Sequence, residues 1–289
     1  MSRRRFVCVS LFLLFLALPV TVHAEKPLAE LFINGSPTYT PLPYEPVVLE
    51  FRFKNPDTLT PIKSFKDMHG KFMHAIIIKK DLSHFAHVHP NFDPSTGLFH
   101  IGLHLPTQNP DNQDALHAFP QAGEYFIFSE IQLSDKKMLD FRFSVTVLGE
   151  ENHVETVTDS STIEDGKYKI LFDPITVEGA GGNLVLFEFQ VFTQNEDGTY
   201  IPAKDLQPWM MMGAHGILLD TQAKEFPLQD IFYKHLHATD ADDEAIFRFT
   251  YFDRGNLKHK KTYRFWIQFR HGGKIHTAPI TFQYDSKKF

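Results

Sequence analysis

Between Met68 and Pro90 the chain reads MHGKFMHAIIIKKDLSHFAHVHP, with five histidines (His69, His74, His84, His87, His89) and two methionines (Met68, Met73) around an apolar run. Neutral imidazole is a ligand for zinc, copper, nickel and iron, and the divalent affinity order peaks at copper. The closing His-Val-His-Pro has the spacing that such chemistry needs. Side chains of an extended chain alternate faces, so His87 and His89 point the same way, with Cα atoms about 6–7 Å apart. His74, in the preceding Ile-rich segment, can bring a third nitrogen from beside them.

The same arrangement recurs. Leu206 to His237 contain PWMMMGAHGILLD and then FYKHLH, so His215 takes the place of His74 while His235 and His237 repeat the His-x-His pair. The flanks repeat too: LEFRF at Leu49–Phe53 resembles FEFQV at Phe187–Val191, and GEYFIF at Gly123–Phe128 resembles KTYRFW at Lys261–Trp266. Offsets stay between 138 and 148 residues, so the chain is a tandem duplication with one histidine triplet per half.

A lone strand histidine is ordinarily a solvated polar residue, and His84, His100, His104, His117, His259 and His271 are read that way, as is His153. His-x-His alone asks only for two polar positions on one strand face; recurrence with a separate upstream histidine makes the triplets metal-ligand candidates. The rival is a hydrogen-bonded cluster bracing a loop in both copies. Met210, Met211 and Met212 beside Trp209 offer soft thioethers suited to monovalent copper. Consecutive strand residues face opposite ways, however, so at least one should be core packing. Met68 and Met73 pose the same choice, and His276 has no assigned role.

Other catalytic signatures are missing. There is no serine-hydrolase elbow, phosphate loop, dinucleotide fingerprint or paired zinc-protease histidines. Three histidines around zinc with an open fourth position could activate water, but no general base stands out. No carboxylate recurs beside both triplets either.

The elements that must position these residues are strands. Val47–Phe53, Phe72–Lys80, Phe85–His89, Gly97–Leu105, Gly123–Leu133 and Met138–Leu148 alternate or are strongly β-prone in the first half. Tyr168–Phe172, Asn183–Thr193, Gly216–Leu219, Phe232–His237, Ala245–Phe252, Thr262–Arg270 and Lys274–Gln283 do so in the second. Glu25–Asn34 reads as a lead-in and Tyr39–Pro46 as a proline-rich loop. About seven short strands per half between turn residues predict an all-β chain of two tandem immunoglobulin-like antiparallel β-sandwich domains. Their expected extents are residues 25–149 and 166–289, with the acidic stretch 150–165 as linker.

Residues 1–24 have the form of a signal peptide: Arg3–Arg5, an apolar run from Val7 to Val20, and Val22-His23-Ala24 for cleavage. At about 14 residues that run is short for a bilayer span, and no later segment is longer. The expected product is an exported protein, periplasmic or secreted, beginning near Glu25. The single cysteine, Cys8, lies inside the signal, so any metal must be held by nitrogen, oxygen or thioether. The full-length net charge of −6 becomes −9 when three arginines and no acids leave. An acidic chain without a basic stripe is a poor partner for nucleic acid or anionic lipid.

The succession GH, HxHP, FPxxGxYxxFxxF and GxxHTAxF resembles a largely uncharacterised His-rich domain of exported bacterial proteins. The first half carries it through HVHP at His87–Pro90 and FPQAGEYFIF at Phe119–Phe128, but has MLDFRFSV at Met138–Val145 where a closing histidine motif belongs. The second half carries GAHGILL at Gly213–Leu219, HLH at His235–His237 and GGKIHTAPITF at Gly272–Phe282, without a proline after His237. The resemblance implies an exported β-domain and, through relatives associated with copper or other heavy metals, metal handling. The expected function is thus a metal carrier, buffer or accessory protein, for copper first and zinc second, working with a metal ion and another envelope protein. The alternatives are a metal-free adhesive or scaffolding tandem sandwich and, third, a metal-dependent enzyme.

Overall fold

The computed structural model describes residues 26–103, 119–133, 138–151, 162–164, 166–177, 182–222 and 227–285. The expected signal peptide, His104, His117, His153 and most of the 150–165 stretch lie outside the described residues.

The first half contributes β1 (Leu28–Ile33), β2 (Val47–Lys54), β3 (Met73–Lys79), β4 (Phe85–Val88), β5 (Asn91–Asp93), β6 (Leu98–Leu103), β7 (Gly123–Gln132) and β8 (Met138–Val147). They form two four-stranded antiparallel layers, β1-β2-β6-β5 and β4-β3-β7-β8. Inward residues of both layers, among them Leu49, Phe51, Phe53, Ala75, Ile77, Phe99, Tyr125 and Ile127, make one core.

The second half contributes β9 (Thr162–Ile163), β10 (Tyr168–Val177), β11 (Asn183–Gln194), β12 (Tyr200–Pro202), β13 (Ala214–Asp220), β14 (Tyr233–Ala238), β15 (Ile246–Asp253), β16 (Thr262–His271) and β17 (Lys274–Gln283). Here the strands run as one sheet, β17-β16-β13-β14-β15-β11-β10-β9, with β12 on β11. Only Ala238↔Phe249 joins β14 to β15. At that narrow seam the sheet folds over into the same two layers, around Phe187, Phe189, Phe249, Phe265 and Phe269. Pro174 sits within β10 opposite Phe187. It costs the ladder nothing, because β9 covers only Tyr168 and Lys169 and the outer edge at Pro174 needs no donor.

Each half is therefore an antiparallel β-sandwich, with a single 3₁₀ turn at Leu228–Asp230 among the described residues. Four strands go beyond the thirteen segments expected from the sequence. β1 lies where a lead-in was expected, and β5, β9 and β12 are edge pieces of two or three residues, too short for alternation to show.

The two sandwiches meet face to face. Every residue of β3 and of β13 is buried, because one strand face lines its own core while the other lines the contact between the halves. Ile76, Ile78, Phe126 and Phe128 of the first half pack with Ile217, Leu219, Tyr233 and Trp266 of the second. Phe85 stacks on Trp266 at 5.1 Å and Phe128 on Tyr233 at 4.3 Å between ring centroids. By the duplication Phe85 is equivalent to Tyr233, and Phe128 to Trp266. These two stacks are one contact made twice, so the halves are related by an approximate twofold axis. Burying such a side chain stabilises by about 1.5–3 kcal/mol, and stacking adds roughly 0.5–1.5.

Candidate metal centre between the sandwiches

The alternation that sends Ile76 and Ile78 into the contact sends His74 there too. Likewise His87 shares a face of β4 with Phe85, and His235 and His237 share one of β14 with Tyr233. One nitrogen from each of His74, His87 and His89 lies within 4.8 Å of the others, and the same holds for His215, His235 and His237. The structure thus brings together each set of three that the sequence singles out.

The triplets also face each other, which the sequence did not indicate. Ring centroids of His74 and His235 are 5.2 Å apart, those of His87 and His235 5.0 Å, and those of His87 and His215 5.6 Å. Instead of two remote sites there is one six-histidine cluster. Trp209 walls one side, 4.6 Å from His215 and 5.5 Å from His87.

Hydrogen bonds fix the rings across the contact. Nδ1 of His87 faces Oε1 of Gln268 at 2.9 Å, and the Gln268 amide nitrogen donates to Thr277 at 3.1 Å, so the oxygen end faces the imidazole. Nδ1 of His235 faces a carboxylate oxygen of Glu130 at 2.7 Å. Glu130 lies opposite His74 in the β3–β7 register, and Gln268 opposite His215 in the β13–β16 register. The two positions are therefore equivalent, and each braces a histidine of the other half.

These contacts settle where the hydrogens sit on His74 and His87. Nε2 of His74 faces the Met68 carbonyl at 3.1 Å and so carries its hydrogen, leaving Nδ1 bare. Nδ1 of His87 donates to Gln268, leaving Nε2 bare. Nε2 of His89, 3.1 Å from that of His87, can donate to it, but the two bare nitrogens of His74 and His87 lie 3.2 Å apart with no hydrogen between them. Lone pairs that close repel unless a cation lies between them. Metal–nitrogen bonds of 2.0–2.1 Å in a tetrahedron would set the nitrogens roughly 3.3 Å apart. In the second triplet both ring nitrogens of His215, Nε2 of His235 and Nε2 of His237 have no hydrogen-bond partner among the described residues. Buried polar atoms are rarely left so.

A proton is a poor cation here. Burial, reinforced by neighbouring imidazoles, lowers His74 and His237 to about 2 and His235 to about 3, and drives His87 and His215 far below the usual imidazole range. Burial also lifts the Glu130 carboxyl to about 7. The donor set thus fits a metal ion: neutral nitrogens, aimed inward, kept unprotonated.

Other histidines divide differently. His100 is exposed, as read from sequence. His271 is not simply solvated, since its Nδ1 bonds the Tyr168 hydroxyl at 2.9 Å. His259 pairs with Asp285 at 3.1 Å. His276 is buried between Tyr168 and Glu164, bracing β9 against β17. Sequence reasoning missed His69, whose ring lies 4.5 Å from that of His237. It also missed Glu130 and Gln268, whose only signal is their place opposite the upstream histidines once strands are paired.

A tandem β-sandwich with a histidine cluster at the contact of its halves is the class these features define. The chain belongs to the family described as a domain of unknown function (DUF8832), whose model matches residues 39–149 and 162–286. No curated protein matches it. Among solved structures it is similar to a carbohydrate-binding module of the β-sandwich superfamily, at 10% identity over 90% of this chain and 99% of that one, TM-score 0.24. A bacterial ice-binding adhesin gives 7%, 90%, 98% and 0.24. A Parabacteroides merdae β-glucuronidase gives 9% identity over 90% of this chain and 25% of the other, TM-score 0.21. Likeness this distant carries nothing about activity. No helix among the described residues is long and apolar enough to cross a membrane.

Proposed function

We propose that the protein is an exported metal carrier, buffer or accessory protein that holds metal ions with His74, His87 and His89 and with His215, His235 and His237. The observation that carries this reading is the 3.2 Å approach of the bare nitrogens of His74 and His87. Their hydrogen bonds forbid either ring from donating to the other, and burial forbids a proton. Copper is the leading metal and zinc the second. A buried set of neutral imidazoles with one carboxylate, Glu130, offsets little positive charge, and desolvating uncompensated charge is costly. Monovalent copper places the least charge there.

Titrating the mature protein with Cu(I), Cu(II) and Zn(II) while monitoring imidazole resonances tests this. The expected result is tight uptake of one or two equivalents, with shifts confined to the cluster. His87→Ala should weaken binding by more than about 100-fold, since even groups that only orient ligands are worth 10–100-fold. A chain that takes up none of the three ions is not a metal protein.

A further inference from the structure

Each triplet is preceded by a tight two-residue hairpin turn. Met68 and Lys71 exchange backbone hydrogen bonds of 2.7 and 3.2 Å around His69-Gly70, and Trp209 and Met212 exchange bonds of 2.7 and 3.1 Å around Met210-Met211. All four central residues have positive φ, at 57° and 84° in the first turn and 52° and 63° in the second, as the type I′ hairpin demands. Asn-Gly or Asp-Gly is the usual choice there. The first turn keeps its glycine, whereas the second places two methionines in a conformation that side-chain-bearing residues rarely adopt.

The upstream histidine follows each turn at the same distance, so His69 is equivalent to Met210 just as His74 is to His215. His69 does not lie over its own triplet. Its ring packs on His237 of the other half, whose Nε2 lacks a hydrogen-bond partner among the described residues. The twofold relation that converts Phe85·Trp266 into Tyr233·Phe128 would, applied to His69 over His237, bring Met210 toward His89. Trp209, at the head of the second turn, reaches both triplets, 4.6 Å from His215 of its own and 5.5 and 6.1 Å from His87 and His89 of the other.

We propose that each triplet is completed by a side chain from the opposite half, His69 for the second and Met210 for the first, giving one soft and one harder metal position. The first position is then three imidazoles and a thioether, braced by the neutral amide of Gln268. The second is four imidazoles, braced by the carboxylate of Glu130. Ligand softness and local charge point the same way: the first suits Cu(I), the second a divalent ion such as Zn(II) or Cu(II). Met211 is 78% exposed, so it is a control rather than a ligand.

This inference rests on the proposed metal binding and is tested separately from it on the full mature chain. Cu(I) affinity is measured by chelator competition and Zn(II) affinity by titration, in wild type, Met210→Leu, Met211→Leu and His69→Asn; asparagine tolerates the positive φ. X-ray absorption of the Cu(I) form reads the ligands directly. The expected wild-type spectrum has one sulfur at about 2.3 Å, a typical metal–sulfur distance. Met210→Leu should remove it and weaken Cu(I) about 10–100-fold while leaving Zn(II) unchanged; His69→Asn should weaken Zn(II) and spare Cu(I). Met211→Leu should do neither. A Cu(I) form without sulfur, or a sulfur that survives Met210→Leu, overturns the assignment while metal binding abolished by His87→Ala leaves the broader reading intact. Uptake of no metal overturns both.

Discussion

The two triplets are copies of one arrangement and differ in what stands behind them. Gln268 braces His87, and Glu130 braces His235, at equivalent positions of β16 and β7. An amide and a carboxylate have nearly the same shape, so the strands, spacing and apolar contact can stay the same while the charge beside one triplet changes. Packing and charge are separable here. The contact between halves is set by Phe85, Phe128, Tyr233 and Trp266, whereas the charge beside each triplet is set by one atom behind it.

The largest expected effect bears on what the triplets share. Five imidazoles fall below their usual 6.5 in the folded protein, namely His74, His87, His215, His235 and His237. Below pH 6.5 the unfolded chain takes up protons that the folded chain refuses. The stability tied to these groups is complete above 6.5 and lost as pH falls. Glu130 acts oppositely, holding between about 7 and 4.5 a proton that the unfolded chain releases, and so offsets one of the five. Four net protons at roughly 1.4 kcal/mol per pH unit give about 5 kcal/mol per unit between pH 6 and 5 for the metal-free protein. Thermal midpoints across that range read the slope directly; a flat profile would mean the imidazoles are solvated and the two triplets are not one buried cluster.

Next in size is the pair of equivalent truncations Phe128→Ala and Trp266→Ala. Each removes one partner of the repeated stack and should cost about 3–5 kcal/mol in chemical denaturation. Similar costs would support the equivalence, while a neutral Phe128→Ala would break it. Exchanging the bracing groups sharpens the contrast further. Glu130→Gln should weaken the second position by about 10–100-fold, and Gln268→Glu should strengthen divalent binding at the first. If both substitutions change affinity in the same direction, charge is not what distinguishes the two positions.

The smallest effect concerns the strands themselves. Ala75 in β3 is equivalent to Gly216 in β13, where a Cβ would come 2.4 Å from the Phe265 ring and 2.8 Å from that of Phe249. Gly216→Ala should therefore cost about 1–3 kcal/mol by overpacking, and Ala75→Gly about 0.5–1 kcal/mol through backbone freedom. Thermal denaturation of the two variants would rank them, and the reverse order would mean that the second core relaxes more easily than the first.

Much of this was legible in the sequence, for identifiable reasons. Alternation in Val47–Phe53 and Gly97–Leu105 declared half-buried strands, and His-x-His with an upstream histidine declared each triplet. What the sequence could not declare was the cover over the Ile76-Ile77-Ile78 run. A continuous apolar run says that both faces are buried and does not say by what. The merging of the two triplets follows from that cover alone. Glu130 and Gln268 were hidden for a related reason, because they join the cluster through strand register, which the residues around them do not specify. His69 was visible as a histidine, but its contact with His237 depends on how the halves dock.

A surface that meets its own duplicate across an approximate twofold is the kind that pairs two identical molecules in a symmetric dimer. Two copies of the first half, joined through this face, would put a glutamate and a His69 at both positions. Two copies of the second would put a glutamine and a Met210 at both. Neither oligomer could make its two triplets differ, because identical subunits must present them alike. Two linked halves are free to diverge, so one surface, used twice, can back its triplets with a glutamate on one side and a glutamine on the other.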